Sequence, residues 1–235
     1  MRLRTFGGLR IDDAPARATA LGARPLVLLA RLAVAGPAGV ARDPLAAFFW
    51  PEASDERARH ALAQLTYRIR RALDADVLRL GTDQRLVSTL ASDVADFRGA
   101  LAAGRDAEAA ALAHAPFLDG VWVDDAAPVE RWIESERRAI AATVADALGR
   151  AVEAAVREGR HHDAIALQRR RSEAEPFVLA HATRAVALLV DTGQVAAAIG
   201  FGRAWLDRAA VELELDPDPG FVALLARLER GAACA

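Results

Sequence analysis

The sequence has one cysteine, no lysine and no long hydrophobic run. The single cysteine, Cys234, excludes a disulfide framework and a cysteine-based zinc cage. No run of eighteen apolar residues occurs, so no membrane span is expected. The N-terminus MRLRTFGGLRIDD lacks the apolar stretch and the small-residue cleavage site of a signal peptide. We therefore expect a protein of the cytoplasm with no membrane partner.

Motifs of catalytic and cofactor sites are also absent. There is no Gly-x-x-x-x-Gly-Lys, Gly-x-Ser-x-Gly or His-Glu-x-x-His, and without lysine there is no lysine chemistry. His161 and His162 are adjacent, so on a helix they point about 100° apart and do not bind a metal from one face. His114 and His181 are predicted to be packing or surface residues. We predict no enzyme, no catalytic residue, no cofactor and no metal site.

The composition favours a folded protein with an uneven distribution of charge. The 235 residues are 53% hydrophobic and 26% charged, which is enough for one large or two small domains. All 30 basic residues are arginine, whose guanidinium suits bidentate recognition of phosphate or guanine. Residues 1–90 carry a net charge of +5 and residues 91–235 carry −7. Such a division is typical of a basic module that faces nucleic acid joined to an acidic module.

The N-terminal pattern predicts a hairpin and then a core helix. Apolar and polar residues alternate from Leu3 to Ile11 on both sides of Gly7 and Gly8, which tolerate a tight turn. The stretch from Pro25 to Ala35 is mostly apolar, begins with proline and is followed by Gly36-Pro37, as expected for a buried helix.

Two more helices and a loop are predicted before residue 74. Asp43 is placed to cap a short helix that ends at Phe49, and the loop Trp50–Ser54 follows. Ser54 or Asp55 then caps a helix from Glu56 to Leu73, with acids in its first turn and arginines near its end, in agreement with the helix dipole.

The two faces of this third helix differ. Its apolar residues repeat at helical spacing and predict a buried face: Ala58, Ala61, Leu62, Leu65, Ile69, Ala72 and Leu73. The other face carries a stripe of basic and polar residues: Arg57, His60, Gln64, Arg68 and Arg71, with Tyr67 beside it. Arginine can bind guanine or phosphate and glutamine can pair with adenine, so the stripe suits a DNA major groove. An ordinary solvated helix face is the alternative.

The segment after the third helix favours the DNA-binding interpretation of the stripe. From Val77 to Thr89 apolar and polar residues alternate around a turn at residues 81–84, which predicts a second hairpin. Hairpin, three helices and hairpin is the order of a winged helix-turn-helix, whose third helix enters the major groove. Its wing would bring Arg79 and Arg85 near the DNA backbone or the minor groove.

From Ser92 onward the pattern is helical. The segments that begin at Gly159 and Gly193 both place alanine five residues after the glycine and then isoleucine, at an offset of 34 residues, which is the tetratricopeptide period. A similar segment begins at Gly104, and the longer interval to Gly159 indicates that the array is irregular or carries an insertion.

The aromatic stretch Phe117–Asp125 is the candidate for this insertion, and a long helix from about Ala127 to Arg157 follows it. Packing is the favoured role for Phe117, Trp122 and Trp132, and an exposed partner surface is the alternative.

In this order the segments resemble the SARP class of bacterial regulators, in which an OmpR-type winged helix precedes a bacterial transcriptional activator domain of tetratricopeptide-like helices. The resemblance covers residues 3–228. The stretches that carry it are Trp50-Pro51, ERARHALAQLTYRIRRAL, SDVADFRGAL and PFLDGVWVDDAAPVERWIESERRAI.

The resemblance implies a mainly α fold with small β-hairpins, in which a winged helix-turn-helix over residues 1–91 precedes an all-α tetratricopeptide-like domain over residues 92–235. It implies an activator that binds direct repeats in double-stranded DNA, forms at least a homodimer there and contacts RNA polymerase. The recognition helix maps to Glu56–Leu73. The polymerase-contacting loop maps to five residues: Trp50, Pro51, Glu52, Ala53 and Ser54.

The sequence is consistent with two functions. The protein either is a sequence-specific transcription factor, or its helical repeats form a protein-interaction scaffold whose N-terminal domain binds RNA or protein. The repeats could also bind a small effector, which the sequence does not identify.

Overall fold

The structure is a computed structural model, and it describes residues 1–214, 216 and 218–233. In these residues the chain forms ten α-helices and five short strands, which confirms a mainly α fold with small β elements. The chain divides into two compact units, Met1–Val144 and Ala145–Ala235. The domain boundary expected between residues 91 and 92 stays a prediction. Cys234 lies outside the described residues.

The N-terminal hairpin is present and a third strand extends it. Strand β1 (Arg2–Arg4) pairs with the antiparallel strand β2 (Arg10–Asp12). Gly7 and Gly8 in the turn have φ angles of 74° and 117°, which side chains disfavour. Strand β5 (Ala91–Ser92) pairs with β1 in parallel, so β1 is the central strand of the sheet.

Three helices follow the hairpin: α1 (Ala23–Ala35), α2 (Arg42–Phe49) and α3 (Asp55–Ala72). Their apolar sides are buried together with β1, and this core contains Leu3, Val27, Leu28, Leu29, Leu32, Leu45, Phe49, Leu62, Leu65 and Ile69. The prediction that Asp43 caps α2 is wrong. The helix begins at Arg42, so Asp43 lies in the first turn, where its charge still favours the helix dipole.

A second hairpin completes the winged helix-turn-helix. Strands β3 (Leu78–Leu80) and β4 (Leu86–Ser88) are antiparallel, as predicted. Val40 forms a bridge to Leu86 through two backbone hydrogen bonds of 2.8 and 2.9 Å. The segment before it lies so close that a Cβ on Gly39 would be 2.6 Å from the Leu86 carbonyl oxygen.

The chain then becomes helical, with α4 (Asp93–Ala102), α5 (Asp106–Leu112) and α6 (Ala127–Arg157). Helix α4 packs on α1 and β1 and therefore belongs to the same compact unit as the winged helix.

A buried carboxylate joins α4 to the first hairpin. Asp93, only 2% exposed, accepts hydrogen bonds from the Thr5 amide at 2.9 Å, the Thr5 hydroxyl at 2.6 Å and the Phe6 amide at 3.2 Å. It also accepts one from its neighbour Val94. The Thr5 and Phe6 amides have no partner in the strand ladder, so the Asp93 carboxylate accepts their hydrogen bonds instead.

A chain of aromatic rings runs through the first unit. Neighbouring rings are 5.0 to 6.4 Å apart between centroids, and all but one pair meet edge to face. In order, the rings are Phe97, Phe6, Phe117, Trp132, Phe48, Phe49 and Trp50. The packing predicted for Phe117 and Trp132 is confirmed, and it connects the winged helix to residues beyond position 92.

The second unit contains the end of α6 and four more helices: α7 (His161–Ala174), α8 (Leu179–Asp191), α9 (Val195–Leu213) and α10 (Pro219–Ala233). From α7 to α10 each helix packs against the next. The main core of this unit consists of Ala182, Val186, Leu189, Ala198, Trp205, Phe221 and Leu225.

Three turns share one geometry and confirm the repeat. Gly104, Gly159 and Gly193 have φ angles of 68°, 72° and 76°, and each ends a helix. In each turn the residue after glycine donates to the carbonyl five residues before it, the pattern of a Schellman motif. The alanine five residues after each glycine is fully buried: Ala109, Ala164 and Ala198. A larger side chain there would force the helices apart.

Candidate nucleic-acid interface

Helix α3 separates its apolar and polar residues as the sequence predicts. Ala58, Leu62, Leu65 and Ile69 are buried, whereas Ala61 and Ala72 at the edge of that face are half-buried. All six residues of the predicted polar stripe are exposed: Arg57, His60, Gln64, Tyr67, Arg68 and Arg71. The stripe is therefore accessible along four turns of the helix.

Pairing distinguishes the arginines of the stripe from the others on α3. Arg59 donates to the Asp55 carbonyl at 3.1 Å and lies 4.0 Å from the Asp43 carboxylate, and Arg70 donates to the Leu78 carbonyl at 3.1 Å. Within the part of the chain that the structure describes, the guanidinium groups of the three stripe arginines contact no carboxylate and no hydrogen-bond acceptor: Arg57, Arg68 and Arg71. Three guanidinium groups are thus left for an external anion or base edge.

His60 and Gln64 form the one polar contact within the stripe that the described residues contain. The Gln64 Nε2 atom lies 2.8 Å from the His60 Nε2 atom, one helical turn away. This contact was not anticipated from spacing alone, although positions four apart on a helix are neighbours.

The wing places its two arginines differently. Arg79 is exposed, and its guanidinium lies 3.7 Å from the Asp76 carboxylate. Arg85 is half-buried and donates from Nε to the Ala38 carbonyl at 2.7 Å and from Nη2 to the Gly39 carbonyl at 2.9 Å. Two of the three Arg85 nitrogens therefore attach the wing to the segment before α2.

The Trp50–Ser54 loop exposes only some of its residues. Trp50 is half-buried, with its ring 5.9 Å from Phe49 and beneath the Arg24 guanidinium at 5.8 Å. Pro51, Glu52 and Ser54 are exposed, and Ala53 is half-buried. Ser54 precedes α3 at the capping position, but its side chain makes no capping hydrogen bond.

A second loop, Phe117–Asp125, lies beside α3, which the sequence did not reveal. Arg24 at the start of α1 donates to the Asp124 carbonyl at 2.5 Å. Asp124, Asp125, Trp122 and Arg68 together line a depression of about 440 Å³. Two carboxylates therefore lie next to one end of the stripe.

The packing predicted for Trp122 is wrong, because this side chain is 65% exposed. Its neighbour Val123 is 3% exposed and takes the buried position, and Phe117 and Leu118 are buried at the start of the loop. Arg137 donates to the carbonyls of both of those residues. The loop is thus attached at both ends, and Trp122 projects from it.

Other arginines of the first unit stabilise the fold instead of facing solvent. The Arg31 guanidinium lies over the rings of Trp132 at 5.0 Å and Phe48 at 5.4 Å, with the Glu136 carboxylate 4.0 Å away. Burial lowers the pKa of Arg31, and the charge of Glu136 partly opposes that shift. In the first hairpin, a hydrogen bond of 2.6 Å from Arg4 lowers the pKa of Asp12.

Comparison with known proteins identifies the family. A profile described as bacterial transcriptional activator domain matches residues 84–229, more than half of the chain. The chain belongs to this family. The resemblance to the SARP class, which carries such a domain, is thereby confirmed.

A solved structure has the same fold. EmbR of Mycobacterium tuberculosis, determined in complex with a low-affinity phosphopeptide, is 21% identical and superposes with a TM-score of 0.61. The match covers 98% of this chain and 65% of the EmbR chain, so this chain spans less than two thirds of that protein. No curated protein sequence matches significantly.

The description of the family names it as a domain of bacterial transcriptional activators. No helix among the described residues could span a membrane. Over the same residues, no three His, Cys, Asp or Glu side chains are grouped to hold a metal ion.

Proposed function

We propose that this regulator is an activator that binds direct repeats in double-stranded DNA through the stripe on α3 and contacts RNA polymerase through the Trp50–Ser54 loop. The observation that carries the proposal is the set of three exposed, unpaired guanidinium groups on one face of α3, while Arg59 and Arg70 on the same helix contact other protein groups.

The stripe has the chemistry of base reading. Arg57, Arg68 and Arg71 can donate to guanine or to phosphate, and Gln64 can pair with adenine. Arg79 on the wing is exposed and can reach a backbone phosphate. Arg85 acts mainly by fixing the wing, because most of its guanidinium is already bound to carbonyl groups.

The first experiment is selection of bound duplexes from a random library by the purified protein, followed by fluorescence anisotropy across a salt series. One motif should be enriched as a direct repeat, with half-sites about one helical turn apart, occupied by two protomers. Affinity should fall by about 0.9 log unit per log unit of salt for each phosphate neutralised. Failure to enrich any motif would instead favour the interaction scaffold.

Two substitutions test the stripe. Arg68→Ala and Gln64→Ala should each cost about 1–3 kcal/mol at the selected site and relax the preference at one base. Arg59→Ala is the matched control, since it removes the same charge from the same helix but away from the stripe. If all three substitutions weaken binding equally and without change of preference, the stripe does not read bases.

The loop is tested separately from DNA binding. Glu52→Arg reverses the one charge that the Trp50–Ser54 loop exposes, and the side chain is not buried. We expect transcription from a promoter with the selected site to fall severalfold while duplex affinity does not decrease. Equal activation by the variant and the wild type would show that this loop does not contact the polymerase.

A further inference from the structure

The contact between His60 and Gln64 restricts the hydrogen bonds that Gln64 can offer to a base. Both side chains are exposed in the middle of the stripe, and the two Nε2 atoms are 2.8 Å apart. An amide nitrogen carries two hydrogens and cannot accept a hydrogen bond, so the Gln64 amide is the donor and the imidazole Nε2 is the acceptor. In this arrangement the imidazole accepts at Nε2 and carries a proton on Nδ1.

With one amide hydrogen engaged, Gln64 retains one N–H donor and its Oε1 acceptor. Adenine offers a complementary pair in the major groove, the N7 acceptor and the N6 amino donor. Guanine offers two acceptors there, N7 and O6, and so leaves the Gln64 oxygen opposite another acceptor. An amide held in this orientation therefore favours adenine over guanine.

We propose that His60 is a positioning residue that holds the Gln64 amide ready for adenine, so that the two side chains select one base of the site as a unit. This inference rests on the proposed function, because it presumes that the stripe reads DNA. His60 itself touches neither the base nor a phosphate in this arrangement. Without it, Gln64 must be ordered when DNA binds, and ordering such a side chain weakens binding by about two- to tenfold.

The test compares variants on duplexes that differ at one base. The base read by Gln64 is the position where Gln64→Ala abolishes discrimination. At that position adenine, guanine and 7-deazaadenine, which lacks the N7 acceptor, are each measured at pH 8. His60→Ala should lower the adenine preference by about two- to tenfold. The same change in a Gln64→Ala background should have no effect.

Two further variants distinguish the hydrogen bond of His60 to Gln64 from the volume of its ring. His60→Asn restores an acceptor that can pair with a glutamine four residues later, so it should recover most of the adenine preference. His60→Phe keeps a ring without an acceptor and should behave like His60→Ala. If His60→Ala instead weakens binding to all sequences equally, His60 contacts phosphate. If it alters preference at a different base, His60 reads that base directly. Either result would overturn the proposal.

A measurement without DNA keeps the two proposals separable. The ¹⁵N shifts of the His60 ring, assigned by their loss in His60→Asn, report which ring nitrogen carries the proton at pH 8. The Nδ1–H form is expected in the wild type, and Gln64→Ala should shift the ring toward the Nε2–H form. A ring that carries its proton on Nε2 in the wild type overturns the pair even if no duplex is selected. A library without any enriched motif contradicts the proposed function alone.

Discussion

At the scale of single residues, Asp93 joins the two ends of the winged helix. Its carboxylate is the acceptor for the Thr5 and Phe6 amides, which have no other partner in the hairpin turn. Asp93→Ala should destabilise the protein by about 2–5 kcal/mol, because it removes the acceptor of three buried donors, the two amides and the Thr5 hydroxyl. Urea unfolding measures this loss.

The control for Asp93 is Asp96→Ala, one turn later on α4. Asp96 pairs with Arg2 at the surface, and exposed ion pairs contribute about 1 kcal/mol or less. Similar midpoints for the two variants would show that the Asp93 hydrogen bonds add little to stability.

His181 gives the second unit a dependence on pH. It is buried on α8, and burial lowers its pKa, with the positive charge of Arg171 adding to the shift and Glu175, 3.5 Å from its Nδ1 atom, opposing it. The unfolded chain therefore takes up the proton first as pH falls. The free energy of unfolding is therefore highest above about pH 6.5, where His181 is neutral in both states, and it decreases below that pH.

Unfolding of the wild type and His181→Gln between pH 5 and 8 checks this expectation. The wild type should lose stability as the pH is lowered through this range, and His181→Gln should lose less of it. His162→Gln is the control, because His162 is exposed on α7. A variant at position 181 with the wild-type pH profile would contradict the assignment.

At the scale of elements, the Phe117–Asp125 loop opposes the charge of the stripe. Asp124 and Asp125 line the same depression as Arg68. Replacing both with asparagine removes repulsion of DNA phosphates that lie within a Debye length. Affinity should rise about two- to fivefold at low salt for every duplex sequence, since no base contact changes.

Anisotropy at two salt concentrations measures the effect of the loop. Asp119→Asn is the control, because Asp119 is exposed on the same loop but does not line the depression. A gain limited to the selected motif, or a gain that persists at high salt, would point to a contact other than long-range repulsion.

Elements with a local pattern could be predicted from the sequence, and elements with a distant partner could not. Helix α3 and its stripe follow from residue spacing, and the glycine turns follow from the repeat. Strand β5 has two residues and pairs with a strand about ninety positions earlier, so it leaves no periodicity to detect. The engagement of Arg85 and the exposure of Trp122 depend likewise on residues far away in the sequence.

At the scale of the whole molecule, the aromatic chain extends the winged helix beyond residue 91. Phe6 contacts Phe97 and Phe117, and Phe48 contacts Trp132. A fragment of residues 1–91 loses these partners and Asp93, whereas a fragment of residues 1–144 keeps them. The shorter fragment should be less stable by several kcal/mol, since removing one large buried aromatic costs about 3–5 kcal/mol.

Thermal unfolding of the two fragments tests the predicted domain boundary. We expect a cooperative transition from residues 1–144 and a broad or absent one from residues 1–91. Equal melting temperatures would establish residues 1–91 as an autonomous domain, as the sequence alone suggested.

The central position of β1 also affects how the protein is made. This strand leaves the ribosome about ninety residues before β5, which is its partner on one side, and before the Asp93 carboxylate that binds the next turn. At about 5–20 residues per second, the interval is on the order of 10 s. During translation one edge of the first hairpin is therefore unpaired for this time. A chaperone or a second nascent chain can bind to that edge before β5 is made.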